Sequence, residues 1–454
     1  MTEITQKKSE KMDIVNGPLI RNMLYFVWPI MIANILQITF HMADTIVIGR
    51  FASQQGLAAV GTSGPVTIFF MWGLNGLSVG ANVLISQLIG EKADEKVRNA
   101  VFSAVMIGML FGTAISLFGF FAAGFLMKII SVPADIMHDA VLYLRLYFLT
   151  GTAIGVYDFC AAVLRADGDT KHPTLYLSIA GALNVLLNLL FVIVFHMGVA
   201  GVALATIISQ YFSVFLIMRR LLSENSIIRL DLSRRLDLNL AGKMLRFGIP
   251  SALQNQLFAF SNMVVQSNIN TFGTIFVAAN TAANAVEEYV YVFVDAFPQA
   301  SITFTSQMFG AGEHERIRKT TITAFFLCGI GAFLLGCLIL IFGKELLGFF
   351  TNDPEVISTG MIRLRWVTFF LFINGLLDVI VGSIRGMGYA VLPTVVTLLG
   401  VCGFRILYLF TVFRRFPAPQ VLYSCFPLSW ILTLAIQSVL WFRVYKKTGK
   451  EGSA

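Results

Sequence analysis

Charge is what this chain has least of. Only 13% of its 454 residues are Asp, Glu, Lys or Arg, against about 25% in soluble domains, while 57% are hydrophobic and the mean hydropathy is +0.77. That balance excludes a water-soluble globular chain and points to a polytopic membrane protein. Cysteine is sparse too: Cys160, Cys328, Cys337, Cys402 and Cys425 stand singly in apolar segments, without the pairing of a disulfide framework or a metal site, and read as small core residues. There are no paired histidines, no Ser-centred elbow and no phosphate loop, so neither an enzyme nor a metal or other cofactor is expected. The first 20 residues, MTEITQKKSEKMDIVNGPLI, show no apolar core followed by a small-residue cleavage site, so no removable signal peptide is expected.

What the chain does have is apolar windows about 20 residues long, the length that crosses roughly 30 Å of hydrocarbon. Twelve are counted: 22–48, 56–86, 98–124, 137–162, 173–195, 199–221, 243–270, 276–306, 318–342, 358–383, 392–412 and 420–443. The net charge of +8 matters less than its placement. Of the 33 Lys and Arg, 24 fall in the two termini, the linker at 219–246 and alternate short loops, which by the positive-inside rule puts both termini in the cytoplasm. A nucleic-acid partner is not expected; the partner of this surface is the lipid bilayer.

The halves repeat each other. RADGDTKHPT (165–174) and RGMGYAVLPT (385–394) share R-x-x-G-x-x-x-x-P-T 220 residues apart, and SQLIGEKADEKVR (86–98) overlays SQMFGAGEHERIR (306–318) at the same offset. WPIMIANILQ overlays IPSALQNQLF near residues 29 and 250, at an offset of 221. Six spans per half is an even number, so the repeats are parallel and a cavity is expected between them. The expected fold is an all-α membrane protein of twelve transmembrane helices in two parallel six-helix repeats. Its divisions are a cytoplasmic tail (1–21), an N-terminal lobe (22–221), a cytoplasmic linker (222–242), a C-terminal lobe (243–443) and a second cytoplasmic tail (444–454).

On the first span Asn34, Gln37, His41 and Asp44 are spaced 3, 4 and 3, which places them on one helix face. Turning Asp44 toward lipid would cost roughly 2.5–3.5 kcal/mol, so it is expected to face the bundle interior or a wet cavity and to exchange a proton there. His41 could relay that proton or simply pack. Pro29 frees a backbone carbonyl one turn earlier and can bend the helix. The eighth span, NTAANAVEEYVYVFVDAF, carries Asn284, Glu288, Tyr291 and Asp295 at spacings of 4, 3 and 4, with Glu287 beside them. Glu287 or Glu288, together with Asp295, is expected to line a central cavity and attract organic cations, Tyr291 and its neighbours adding cation–π and adaptable apolar contacts. In the tenth span Asp378 lies one turn from Asn374, and its repeat partner is Asp158; these acids either face substrate or anchor their helices near Arg385 and Arg165. The interior is read as acid-rich, with Arg145 and Arg405 its two internal bases.

ADTIVIGRF, LAAVG at 57–61, the two R-x-x-G-x-x-x-x-P-T loops and GVAGVALAT at 198–206, set in a twelve-span duplication, resemble the multidrug and toxic compound extrusion (MATE) transporters over nearly the whole chain. The resemblance implies a V-shaped pair of six-helix bundles, alternating access, and export of hydrophobic organic cations against protons or sodium ions, with no bound cofactor. It implies a coupling role for Asp44 and places Asn184, Asn188 and Thr206 beside it; Gln37, Asn374 and Asp378 are, on the reading of the spans themselves, further candidates for substrate-facing groups. Asn188 stands where related chains often carry aspartate, and neither Gln254, Asn255 and Gln256 nor Asn374 supplies the acids of the sodium-coupled branch. The expectation is a proton-coupled antiporter of the cell (inner) membrane, working as a monomer. A sodium-coupled antiporter and a lipid-linked oligosaccharide flippase of the same superfamily are the alternatives.

Overall fold

The computed structural model describes residues 12–51, 54–223 and 226–451, with the backbone alone at His41, Ala43, Thr45, Gln54 and Glu451. Twelve helical segments long enough to cross a bilayer follow one another: Leu19–Phe51, Gln54–Gly90, Asp94–Ile129, Met137–Ala166, Lys171–Val194, Gly198–Ser223, Leu238–Asn270, Thr274–Gly310, His314–Ile341, Pro354–Gly386, Val391–Phe413 and Pro419–Glu451. They are called here the first to twelfth spans. Ten are apolar enough to read as membrane helices by composition alone. The exceptions are the seventh, which carries Gln254, Asn255, Gln256 and Asn262, and the eighth, which carries Glu287, Glu288 and Asp295. Large side chains such as Leu110, Phe121, Ile341 and Phe410 point outward, as a lipid-facing surface requires.

Helix ends follow local chemistry. Asp237 caps the seventh span by accepting from the amides of Asn239 and Leu240 (2.9 and 3.1 Å), and Asp353 does the same for Glu355 (2.9 Å) with Pro354 at the first helical position. The glycine of each R-x-x-G loop, Gly168 and Gly388, holds a left-handed φ of +88° and +89°, which explains why the duplicated motif keeps a residue without a Cβ there.

The core clusters do not divide cleanly between the halves. One joins the second to fourth, sixth and seventh spans around Ile85, Phe159 and Leu221; another joins the seventh to twelfth around Val290, Leu377 and Tyr423; a third joins the first span to the eighth to tenth around Phe26, Phe297 and Val379. The halves meet through the second span, which packs on the seventh and eighth. Glycines permit the approach: a Cβ on Gly76 would strike Ala252, one on Gly90 the carbonyl of Gln307, and one on Gly310 the carbonyl of Gln87. Two hydrogen bonds obey the same internal symmetry. Gln87 Nε2 donates to Gly386 O (2.9 Å) and Gln307 Nε2 to Ala166 O (2.6 Å), so each repeat's S-Q motif ties down the R-x-x-G loop of the other. Over this junction lies the chain just before the first span. Ile14 is 2% exposed against Gly168, and Arg316 donates to the carbonyls of Asn16 and Gly17 (3.2 and 2.7 Å). The lobes are therefore closed at the end that carries the termini.

Candidate functional site

Asp44 sits more than two-thirds of the way along the first span, half-buried, and turns into the N-terminal lobe. Asn188 Nδ2 donates to its Oδ1 at 2.5 Å. The Asn184 amide has two arrangements: in one, its Oδ1 accepts from Asn188 Nδ2 (3.1 Å) and its Nδ2 donates to Thr206 Oγ1 (3.3 Å); turned over, Nδ2 meets the same Asp44 Oδ1 at 2.8 Å and Oδ1 meets the Thr206 backbone N–H at 3.3 Å. Thr206 in turn anchors its hydroxyl on the Val202 carbonyl (3.0 Å). Asn184 and Asn188 lie one turn apart, just before a wider π-helical turn at Leu189–Val194, a local irregularity common at functional positions. The Oδ1 of Asn188 is buried and has no hydrogen-bond partner among the described residues. Two tyrosines complete the surroundings: Tyr143 and Tyr147, an i,i+4 pair on the fourth span with ring centroids 5.8 Å apart, stand within electrostatic reach of Asp44. The sequence reading passed over them, although their one-turn spacing in the span was the available signal.

The four-residue stripe on the first span does not stay together. Ten residues at 100° each leave Asp44 about 80° away from Asn34 around the helix. Asn34 faces the other lobe and donates to Asp295 Oδ2 (3.4 Å), which also accepts from Gln299 (3.0 Å). Gln37 is exposed, and the His41 side chain lies outside the described residues.

The eighth span divides likewise. Asp295 meets the first span, Glu288 and Tyr291 are exposed on the neighbouring surface, and the Tyr289 hydroxyl reaches Met42 Sδ across the lobes (3.8 Å). Glu287 does not join them: it turns into the C-terminal lobe and forms a two-point ion pair with Arg363, Nε to Oε2 at 3.0 Å and Nη2 to Oε1 at 3.1 Å. Arg363 also donates to Asn280 (2.7 Å) and Asn284 (2.9 Å). This corrects the expectation of two internal bases. Arg363, overlooked near the start of the tenth span, is 6% exposed, while Arg145 is exposed and rests 6.0 Å from the Phe120 ring.

Asp378 accepts from Asn374 (3.0 Å) and lies within electrostatic reach of Asp295 and Arg385. Arg385 spends Nη2 on Gln254 (2.8 Å) and Thr394 (3.2 Å). Asp158 feels Arg165 without a direct bond among the described residues. The seventh-span amides work as inter-helix ties: Gln254 holds Arg385, and Asn255 and Gln256 donate to the Trp72 and Phe69 carbonyls of the second span.

A duplicated core with one polar centre per lobe is a transporter architecture, and comparison with known proteins decides which one. The MatE family model matches residues 29–190 and again 250–411. The chain belongs to the MatE family. Among curated members it is 28% identical to the probable multidrug resistance protein YpnP of Bacillus subtilis (strain 168) over 83% of this chain and 84% of that one. It is 24% identical to the probable multidrug resistance protein NorM of Thermotoga maritima over 86% and 84%. Its fold superposes on a solved MATE structure, in complex with MaL6, with a TM-score of 0.91 at 18% identity, covering 97% of this chain and all of the other. The two MatE matches fall one on each half, so the repeat read from the motifs is the family's own unit. Within this MatE chain, the N-terminal copy keeps a lone carboxylate among amides and tyrosines, and the C-terminal copy an arginine-rich network.

Proposed function

We propose that this protein is a multidrug efflux transporter that exports hydrophobic organic cations in exchange for protons, with Asp44 as the coupling group. The names of the relatives support drug export, and the spread of Lys and Arg supports a cell-membrane protein with both termini in the cytoplasm. On that orientation the lobes, taken as 22–221 and 243–443, are closed on the cytoplasmic side.

The observation that carries proton over sodium is the N–H donor that Asn188 aims at Asp44. Asn188 presents nitrogen to the carboxylate, and Asn184 does the same once its amide is turned over, so amide oxygens then point away from the place a cation would share with it. A proton needs no such cage. When Asp44 is ionised, both amides hold it. When it is neutral, its O–H becomes a donor, and the idle Oδ1 of Asn188 can accept it once that amide rotates. The same exchange loosens the first span, already weakened at Pro29. Drug leaves as external protonation repacks that helix, and proton release inside restores the charge. Glu288 and Tyr291 offer the exposed acidic and aromatic surface that an incoming cation would meet first, with the half-buried Asp295 one turn further along the same span. Exchange of one proton for one monovalent cation moves no net charge, so the proton chemical gradient drives it, and each further proton adds about 2.3 kcal/mol per 100 mV of potential; no nucleotide is required.

The test is uptake of ethidium into inside-out vesicles under an imposed pH gradient or sodium gradient. Uptake that follows the pH gradient and falls at least a hundredfold in Asp44→Asn, with the variant inserted and folded, is the expected outcome. Sodium-driven uptake would overturn the proton reading.

A further inference from the structure

The repeat register shows what the C-terminal lobe has done with its copy of the Asp44 site. The position of Asp44 becomes a valine in either offset, Val264 or Val265, and Tyr143 becomes Arg363 at the 220-residue offset. The π-helical turn of the fifth span, Leu189–Val194, is matched in the eleventh by Leu409–Phe413, and the eleventh has a further one at Leu398–Gly403. Such a turn adds one residue, so beyond it the offset is 221 and Asn184 becomes Arg405. A carboxylate centre has been replaced by two guanidinium groups.

Their surroundings are unequal. Arg363 is neutralised by Glu287 through two contacts. Arg405, 5% exposed in the eleventh span, has no carboxylate partner among the described residues. Its Nε donates to Ser429 Oγ (3.2 Å) and its Nη1 to Asn262 Oδ1 (3.3 Å), both neutral, and Nη2 makes no hydrogen bond among the described residues. The group lies over Phe426 (4.2 Å to the centroid) and near Trp430 (5.5 Å), and Arg363 approaches the same Phe426 ring (5.8 Å). Its remaining titratable neighbours are the thiols Cys402 and Cys425 and, at longer range, Glu287, whose carboxylate is already paired with Arg363. Two guanidiniums against one carboxylate leave one positive charge unbalanced inside a membrane lobe. Ring faces attract that charge without cancelling it, and an ionisable residue so placed is by default a functional one.

We propose that the half of the C-terminal lobe away from the termini contains an anion site centred on Arg405, completed by Asn262 and the edge of the Phe426 and Trp430 rings. It takes one compact negative charge, supplied either by a free halide or by the carboxylate of a transported molecule. The proton-coupling centre and the anion centre are then the two divergent copies of one ancestral site, and the anion site does not depend on which ion Asp44 carries.

Full-length protein in lipid nanodiscs, held in a low-salt sodium HEPES buffer free of halide and carboxylate, is titrated with sodium chloride or sodium acetate while the unfolding temperature is read. Saturable stabilisation in the native chain, absent in Arg405→Gln, is expected. Because Arg405→Gln could fail to fold, a second reading uses the unaltered site: saturable iodide quenching of native fluorescence that disappears in Trp430→Phe. Vesicle uptake separates the two sources. If Arg405→Gln removes a chloride dependence of ethidium uptake, the anion is a free halide. If it lowers uptake of a zwitterionic dye bearing a carboxylate at least tenfold while sparing ethidium, the anion belongs to the substrate. No saturable stabilisation and no saturable quenching at Trp430 would overturn the proposal.

Discussion

A carboxylate inside a membrane helix takes its character from the donors it meets, and the two lobes supply opposite kinds. Asp44 meets neutral amides and can change charge without stranding a partner; Glu287 meets a guanidinium that cannot give up its own. Glu287→Gln should therefore destabilise the protein by about 3–5 kcal/mol, the usual cost of leaving one member of a buried pair alone, whereas Glu287→Gln combined with Arg363→Met should cost less than either single change. Thermal unfolding followed by size-exclusion recovery of all three variants checks the non-additivity. Outside the membrane, Asp231 in the linker marks a contrast. The Ser233 hydroxyl and amide, then Arg234, hold its carboxyl at about 2, and Arg234 bridges onward to Glu95 of the third span (2.7 Å). A depressed carboxyl contributes stability above its ordinary range and loses it as pH falls toward that value. Hydrogen exchange across 226–237 should thus be unchanged between about pH 5 and 8, apart from the intrinsic rate, and should rise only in strong acid. Any pH dependence of transport in that window then arises elsewhere. The residue-level reading of the sequence found Asp44 because a lone acid in an apolar run is conspicuous. It missed Arg363, because an arginine nine residues into a span that begins at the membrane surface reads as a flank until its partner is seen.

Helices are where the motifs acquire meaning. The threonine that ends R-x-x-G-x-x-x-x-P-T donates from Thr174 to the carbonyl of Pro29 (2.9 Å), so the fifth span grips the first at its proline. The proline removes a ladder hydrogen bond, and the threonine steadies the weakened turn. Thr174→Val should cost about 0.5–1.5 kcal/mol at that contact and widen the range of first-span angles. Spin-label distances from the first span to the fifth should broaden accordingly, with a native fold retained. A distribution as narrow as that of the unaltered chain would mean that the proline turn is held by packing alone. Span boundaries were legible from hydropathy to within several residues, since length and apolarity are local. The direction a span's polar residues face was not: a stripe spaced 3, 4, 3 drifts around the helix, and only neighbours decide that Asn34 looks toward Asp295 while Asp44 looks toward Asn188.

At the scale of the whole molecule, the duplication makes a lock. Gln87 and Gln307 each close on the opposite R-x-x-G loop, Asn82 and Thr303 bond across the same interface (3.0 Å), and Ile14 seals the junction. These contacts hold the terminal end shut, so under the alternating access proposed above they would bias the two-state equilibrium. Gln87→Ala with Gln307→Ala removes two hydrogen bonds of about 1 kcal/mol each, which should move the population toward the terminal-open state roughly 30-fold. Spin labels on the 90–94 and 310–314 loops would show a second, longer distance; a single unchanged distance would refute the lock.

The sequence by itself determined the membrane class, the twelve spans, the duplication and the family, because hydropathy, length and repeated motifs are properties of the chain read in order. It also singled out Asp44, since an acid amid apolar residues carries its cost wherever the helix packs. Tertiary structure alone decided the partners. Burial in the C-terminal lobe made Glu287 a structural ion rather than a cavity acid, packing of the fifth span gave Asp44 an amide donor, and Arg405 was left without a carboxylate partner among the described residues. Charge compensation is a matter of distance and shared surroundings, and residues 76 or 144 positions apart come together only when the helices do.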